Sequence, residues 1–228
     1  MTDSLVTSLP PLATFRHGYQ LELNSGQAPI DPLRSQLEAF IHQRFADTYG
    51  AVVKHYMPQL LGLRHNGILQ AVVGLRPASA NPLFLEQYLD VPACTQIRQR
   101  SGMPLRREQM IEVGNLAALA PGAARMLIIA LTHYLAAHGF SWVVFTGTAM
   151  LLNSFQRLAL SPIDLGVADP ARLGQQQVEW GSYYATRPRV MAGYIPEGLA
   201  QLNQRDAFQR LGYQALYAQP QEAAHASA

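Results

Sequence analysis

"IEVGNLAALAPGAARMLIIAL", Ile111–Leu131, decides how the chain folds. It opens like a buried strand, yet a charged Glu112 and a Gly114 are set inside it. It breaks at Pro121-Gly122 and runs straight into a small-residue helix start. That helix, Ala123–His138, places Leu127, Ile128, Leu131 and Leu135 on one face until Gly139 ends it. "SWVVFTGT" (Ser141–Thr148) then reads as a fully buried strand, and "AMLLNSFQRLAL" as a short helix. The core of the chain is therefore a β-α-β unit.

Working outward, "GYQLELN" (Gly18–Asn24) alternates like a first strand. Asp31–Gly50 spaces Leu33, Leu37, Phe40, Ile41 and Phe45 helically, with Asp31 as cap, Pro32 at the first helical position and Gly50 closing it. Two apolar runs flank Asn66-Gly67, a strong hairpin signal. "NPLFLEQYLDVPACTQIRQRSG" predicts a helix in two pieces broken at Pro92. "VEWGSYYATRPRVMAGYI" reads as a strand pair, followed by a helix near Pro196–Leu211. The expected organisation is a loose leader over 1–14, a single domain over 15–217, and a frayed low-complexity tail over 218–228. The element order gives an α/β mixed sheet.

Composition narrows the function. The 228 residues are 49% apolar and 14% charged, which suits a soluble globular protein with a proper core. A net charge of +2, from 17 basic against 15 acidic residues, argues against a nucleic-acid binder. The sole cysteine, Cys94, excludes an internal disulfide, and the seven histidines show no metal-ligand spacing. No run approaches the roughly 18 apolar residues of a membrane span, and the N-terminus lacks a secretory pattern. The expectation is a cytoplasmic protein with no stable membrane insertion.

The opening stretch also suggests chemistry. A strand, a glycine turn and a helix N-terminus form a ready anion site, because free backbone N–H groups and the helix dipole favour a phosphate. Gly122, Ala123 and Ala124 admit close approach, and Arg125 in the first turn suits an anion nearby. An ordinary turn with a solvated Arg125 is the plain alternative. Gly114 suggests a bulge or the close approach of another backbone; a bulge would splay this strand from Ser141–Thr148 and leave a slot between them. Glu112 is then either an outward residue or a carboxylate in the slot with basicity raised by burial.

The strand, glycine turn, helix, strand and short helix of 110–160 resemble the core of GNAT-type N-acyltransferases. That resemblance implies a mixed sheet with splayed central parallel strands flanked by helices. It also implies an acyl-pantetheine co-substrate between the strands, with its phosphates on the helix N-terminus. "VVGLRPASANPLFLEQYL" and "IEVGNLA" are similar to acyl-homoserine-lactone synthases, which implies active-site roles for Arg76 and Glu112. "YGAVVKHYMPQLLGL", "AVVGLRPA", "LFLEQYLD", "EVGNLA", "WVVFTGT" and "WGSYY" together resemble the bacterial thermostable hemolysins over about 40–195. That family's name implies haemolysis, while its fold implies acyl transfer.

Several positions depart from these patterns. Leu119 stands where the GNAT phosphate loop begins with Gln or Arg, and Phe155 stands where a general-acid Tyr is usual. Asn115 replaces the synthases' Arg, and their paired early aspartates have no counterpart. The weaker phosphate grip favours an acyl carrier protein as donor, since the carrier's surface adds binding energy.

The resulting expectation is transfer of an acyl group from acyl-CoA or acyl-phosphopantetheine, bound only as co-substrate, to a small-molecule amine. Glu112 serves as base or amine anchor, Asn115, Leu116 and the strand backbone line the thioester, Gly122–Arg125 hold phosphates and Arg76 positions an anionic group. Glu86, Tyr88, Phe145 and Trp180 would shape the acceptor side. Glu86 and Asp90, four apart on a helix, could together hold an ammonium or simply form a solvated face. Trp180, Tyr183 and Tyr184 form an aromatic wall, core first and pocket second. His55 is a structural histidine or an alternative base. The competing functions are a membrane-active haemolysin and a non-catalytic fold that binds an acyl carrier.

Overall fold

The computed structural model describes residues 10–26, 31–79 and 82–217. Among the described residues nine strands form one sheet: β1 (Ala13–Thr14), β2 (Tyr19–Asn24), β3 (Gln59–His65), β4 (Ile68–Pro77), β5 (Met110–Ala118), β6 (Trp142–Gly147), β7 (Ile163–Val167), β8 (Arg189–Tyr194) and β9 (Gln214–Ala215). The helices are α1 (Pro32–Tyr49), α2 (Ala93–Ser101), α3 (Pro121–Ala137), α4 (Ala149–Arg157), α5 (Ile195–Gln204) and α6 (Ala207–Leu211). The strand order is β7-β8-β6-β5-β4-β3-β2-β1-β9. Among the described residues β5 and β6 are the parallel pair, and α3 makes the crossover between them.

Side-chain alternation sorts the core onto the two faces of the sheet. Leu61, Leu63, Ala71, Val73, Leu75 and Ile111 pack under α3 against Leu127, Leu131 and Leu135. Leu60, Val72 and Ala117 point the other way, onto Leu37, Ile41 and Phe45 of α1. Asp31 starts α1 by accepting the N–H groups of Leu33 and Arg34, and Gly50 closes it in the left-handed region.

The central feature is a bulge in β5. Val72 pairs with Ala117 and Gly74 with Gly114, so two residues, Asn115 and Leu116, stand opposite Val73. Asn115 takes a φ of 52°, a left-handed conformation that asparagine tolerates better than most residues. The pairing of β5 with β6 runs from Met110–Trp142 to Val113–Phe145 and stops at the bulge. The C-terminal halves of the two strands are therefore splayed, as Gly114 led us to expect. Gly114 also makes room for Met57, which crosses over the bulge, since a Cβ at this glycine would lie 2.5 Å from the Met57 Cε. The fold is the GNAT-like mixed sheet expected from the sequence.

Some expectations are corrected. Within the 1–14 leader, Ala13–Thr14 forms β1 between β2 and β9, and Ala13 is fully buried. A two-residue strand is too short to show a period. The rest of the leader and the 218–228 tail lie outside the described residues, apart from Pro10, Pro11 and Leu12, which lead into β1. The expected pair in "VEWGSYYATRPRVMAGYI" is only β8; its partner β7 comes earlier, and the intervening Pro170–Trp180 and Tyr183–Thr186 are 3-10 turns. The last helix breaks in two near Asp206, whose φ is 52°.

Candidate active site

The splay opens a cavity of about 440 Å³ that reaches both faces of the sheet. On the α1 face its walls are aromatic: Phe45, Tyr49, Phe84, Tyr88, Trp180 and Tyr184. On the α3 face they are aliphatic, from Leu127 to Leu135 along the helix, closed by Val143 and Ile195. The eight helical steps from Leu127 to Leu135 span about 12 Å.

Glu112 lies at the centre, 2% exposed. Its two carboxylate oxygens accept the N–H groups of Phe84 and Leu85, each at 2.9 Å, and so hold the 3-10 turn Phe84–Tyr88. Arg76 is its cross-strand partner, with Nη1 3.7 Å from Oε2. Burial pushes the Glu112 carboxyl up; the Leu85 and Phe84 amides and Arg76 pull it down but do not cancel the rise. Of the two sequence readings, the carboxylate in the slot is the one that matches the geometry. It is also a structural clamp, which the sequence reading did not include.

Tyr88, carried on that turn, meets the Tyr184 hydroxyl at 2.5 Å, and burial raises both phenols, Tyr184 to about 12. Trp180 packs on Phe45, Phe84, Tyr183 and Tyr184. Phe145 forms the β6 wall, stacked on Phe155 with ring centroids 4.9 Å apart. His55 stands exposed at the rim.

Asn115 borders the cavity, but its Oδ1 accepts the Met57 N–H at 2.9 Å. Its side chain thus ties the bulge to the segment before β3, and what β5 offers to the slot is backbone around Leu116 without a β6 partner. Pro121 and Ala124 of the first turn of α3 line the cavity, whereas Gly122 and Ala123 between them do not, and the helix has no side-chain cap. A Cβ on Gly122 would meet nothing within 4 Å, so there is room for a ligand. Ala124 lines the cavity, while Arg125 is half-buried and makes no ion pair among the described residues.

Glu86 is the clear correction. The helix expected to carry it is a 3-10 turn that ends at Tyr88, with Leu89 extended, so Glu86 and Asp90 share no helical face. Glu86 instead pairs with both terminal nitrogens of Arg107 and accepts the Leu83 and Ala93 N–H groups, outside the cavity. Asp90 pairs with Arg172. Burial raises the Glu86 carboxyl, but Arg107 and the two amides outweigh it and leave it below the usual range.

The sequence reading missed Tyr49 and Thr148, which meet at the slot from α1 and from the end of β6. The one available signal was the Phe45/Tyr49 spacing of four, which put both rings on one helix face. Among the described residues, no group of three His, Cys, Asp or Glu side chains could hold a metal, and no helix is long and apolar enough to cross a membrane.

Residues 27–199 match the family model described as thermostable hemolysin. No curated protein matches. Among solved structures, TofI in an apo form is similar with a TM-score of 0.58 at 14% identity, covering 81% of this chain and 96% of that one. BjaI, a CoA-dependent acyl-homoserine lactone synthase with SAM and isopentyl-CoA, gives 0.55 at 16%, covering 82% and 89%. FeeM, an N-acyl amino acid synthase from uncultured soil microbes, gives 0.54 at 14%, covering 79% and 98%. At these identities the likeness is one of fold.

Proposed function

The chain belongs to the thermostable hemolysin family, and from that premise we propose that it is an N-acyltransferase. It moves an acyl group from a pantetheine thioester, of CoA or of an acyl carrier protein, to the amine of a small molecule. The observation that carries this reading is the interrupted pairing of β5 and β6 after Val113–Phe145, over a cavity open to both faces. A thioester threaded there meets unpaired strand backbone able to polarise its carbonyl, in a site from which water is largely excluded.

The chain's own residues divide the work. Free N–H groups of Gly122 and Ala123 at the start of α3 hold a donor phosphate, with Ala124 allowing close approach and Arg125 nearby. The aliphatic branch from Leu127 to Leu135 takes the acyl chain. The amine enters from the aromatic side, between Tyr88, Trp180 and Phe145, with Arg76 steering any anionic group it carries. Glu112 accepts the amine proton, its basicity raised by burial, and Asn115 and Leu116 keep the bulge open. Positioning supplies the rest. Such a product is an amphiphile when the acyl chain is long, which connects this chemistry with the family's name.

The test is to incubate purified protein with acyl-CoA or acyl carrier protein and a panel of amines, and to follow thiol release. Amine-dependent release is expected; none from either donor would refute the reading.

A further inference from the structure

We infer, resting on the acyl-transfer reading above, that Tyr49 is a catalytic residue that gives its proton to the departing thiolate sulfur. Aminolysis of a thioester forms a C–N bond and breaks the C–S bond, whose electron pair goes to sulfur. An alkyl thiol has a pKa of about 8.5, and a bare thiolate in an apolar slot is costly. A donor must therefore stand at the slot.

Most candidates are engaged elsewhere. The β6 wall is Phe145 stacked on Phe155, which offers none. Tyr56 donates to the Val53 carbonyl and Ser154 to the Met150 carbonyl. Tyr88 and Tyr184 share one hydrogen bond, which leaves one phenol proton free, but burial raises both, Tyr184 to about 12, far from the range of a thiol. Tyr49 ends α1, which packs across β5, while its phenol lies beside Thr148, which follows β6. Its ring thus reaches from the end of α1 to the end of β6, and both residues line the cavity.

The ring is also held in place. It stands edge-on to Tyr183, with centroids 5.2 Å apart, and one turn after Phe45. The Tyr49 carbonyl accepts both the N–H and the Oγ of Ser182, at 2.8 and 3.1 Å. Thr148 is 9% exposed and does not cap α4, so its hydroxyl is available to the phenol. Burial pushes the Tyr49 phenol above its ordinary range and the Thr148 hydroxyl pulls it part of the way back, but it still matches a thiolate far better than the cavity's aliphatic hydroxyls do.

The protons balance. The amine's surplus proton leaves through Glu112 to solvent, the Tyr49 Oη proton passes to sulfur to give the free thiol, and solvent returns a proton to Oη. The Thr148 hydroxyl donates to the phenolate in the interval.

The test pairs Tyr49→Phe with two donors bearing the same acyl group: acyl-CoA, and an S-aryl thioester whose thiolate leaves without protonation. With acyl-CoA, kcat should fall by about 100-fold at unchanged donor KM. With the aryl thioester the variant should match wild type. Thr148→Val should show a smaller loss of the same selectivity. Equal loss with both donors, or no loss with acyl-CoA, overturns the assignment. Wild-type protein that releases thiol from neither donor overturns acyl transfer itself, and this inference with it.

Discussion

Replacing Glu112 by Gln separates the two roles the structure gives this side chain. The substitution keeps one oxygen for the Phe84 or Leu85 N–H, but sets an amide NH2 against the other. One charge-assisted bond is worth about 1.5–3 kcal/mol. Removing a buried charge that burial disfavours offsets part of this, leaving a net loss of about 1–2 kcal/mol. For a chain of this size that is a fall in Tm of about 2–8 °C. Turnover should fall much further, by about 10²–10⁴-fold, if Glu112 takes the amine proton. The carboxyl is raised in the folded protein, so the stability it contributes is full below its unfolded pKa of about 4.3 and is lost as pH rises through the folded value. The stability gap between wild type and variant should therefore be widest near pH 4 and narrow above it. The acidic limb of the wild-type rate profile should lie above the ordinary carboxylate range and vanish in the variant. Thermal melts across pH, together with thiol release, check both arms. Full turnover with the native pH profile would refute the base assignment and leave only the clamp.

Other substitutions test the parts around it. Gly74→Ala puts a Cβ 2.5 Å from the Met57 Cβ and should cost about 1–3 kcal/mol in urea unfolding. Gly114→Ala meets only the Met57 tip, so a double-mutant cycle with Met57→Ala should give a coupling of about 0.5–3 kcal/mol. Gly122→Asp should leave Tm unchanged or slightly higher, since a carboxylate suits a helix start, while calorimetric titration shows acyl-CoA binding lost. Glu86→Gln should destabilise by about 1.5–3 kcal/mol through Arg107 and the two amides, yet keep turnover per folded molecule, because it lies outside the cavity.

Much of the frame is local and was legible in the residues. Asp31, Pro32 and Gly50 bound α1; Asn66-Gly67 turns the β3–β4 hairpin; Pro121 and Gly139 bracket α3. Gly114 inside an apolar strand signals a bulge or a close approach, and the structure puts the bulge directly after it, at Asn115 and Leu116, with Met57 packed over it. What tertiary structure alone decided are contacts between residues far apart in the chain. That Glu112 clamps the turn at Phe84 depends on where β4 and β5 set their register. That Glu86 faces Arg107 depends on a 3-10 turn ending one residue before a helical face could form, which periodicity cannot distinguish from an α-helix over five residues. β1 and β9 are two-residue strands that exist only because β2 offers an edge to β1, and β1 in turn to β9. Tyr49 and Thr148 are 99 positions apart in the numbering, and beyond the Phe45/Tyr49 spacing neither carries a signal; they meet because α1 packs across β5, next to the end of β6. Local chemistry fixes where elements begin, end and bend, whereas the site is assembled from side chains whose proximity only the packed sheet creates.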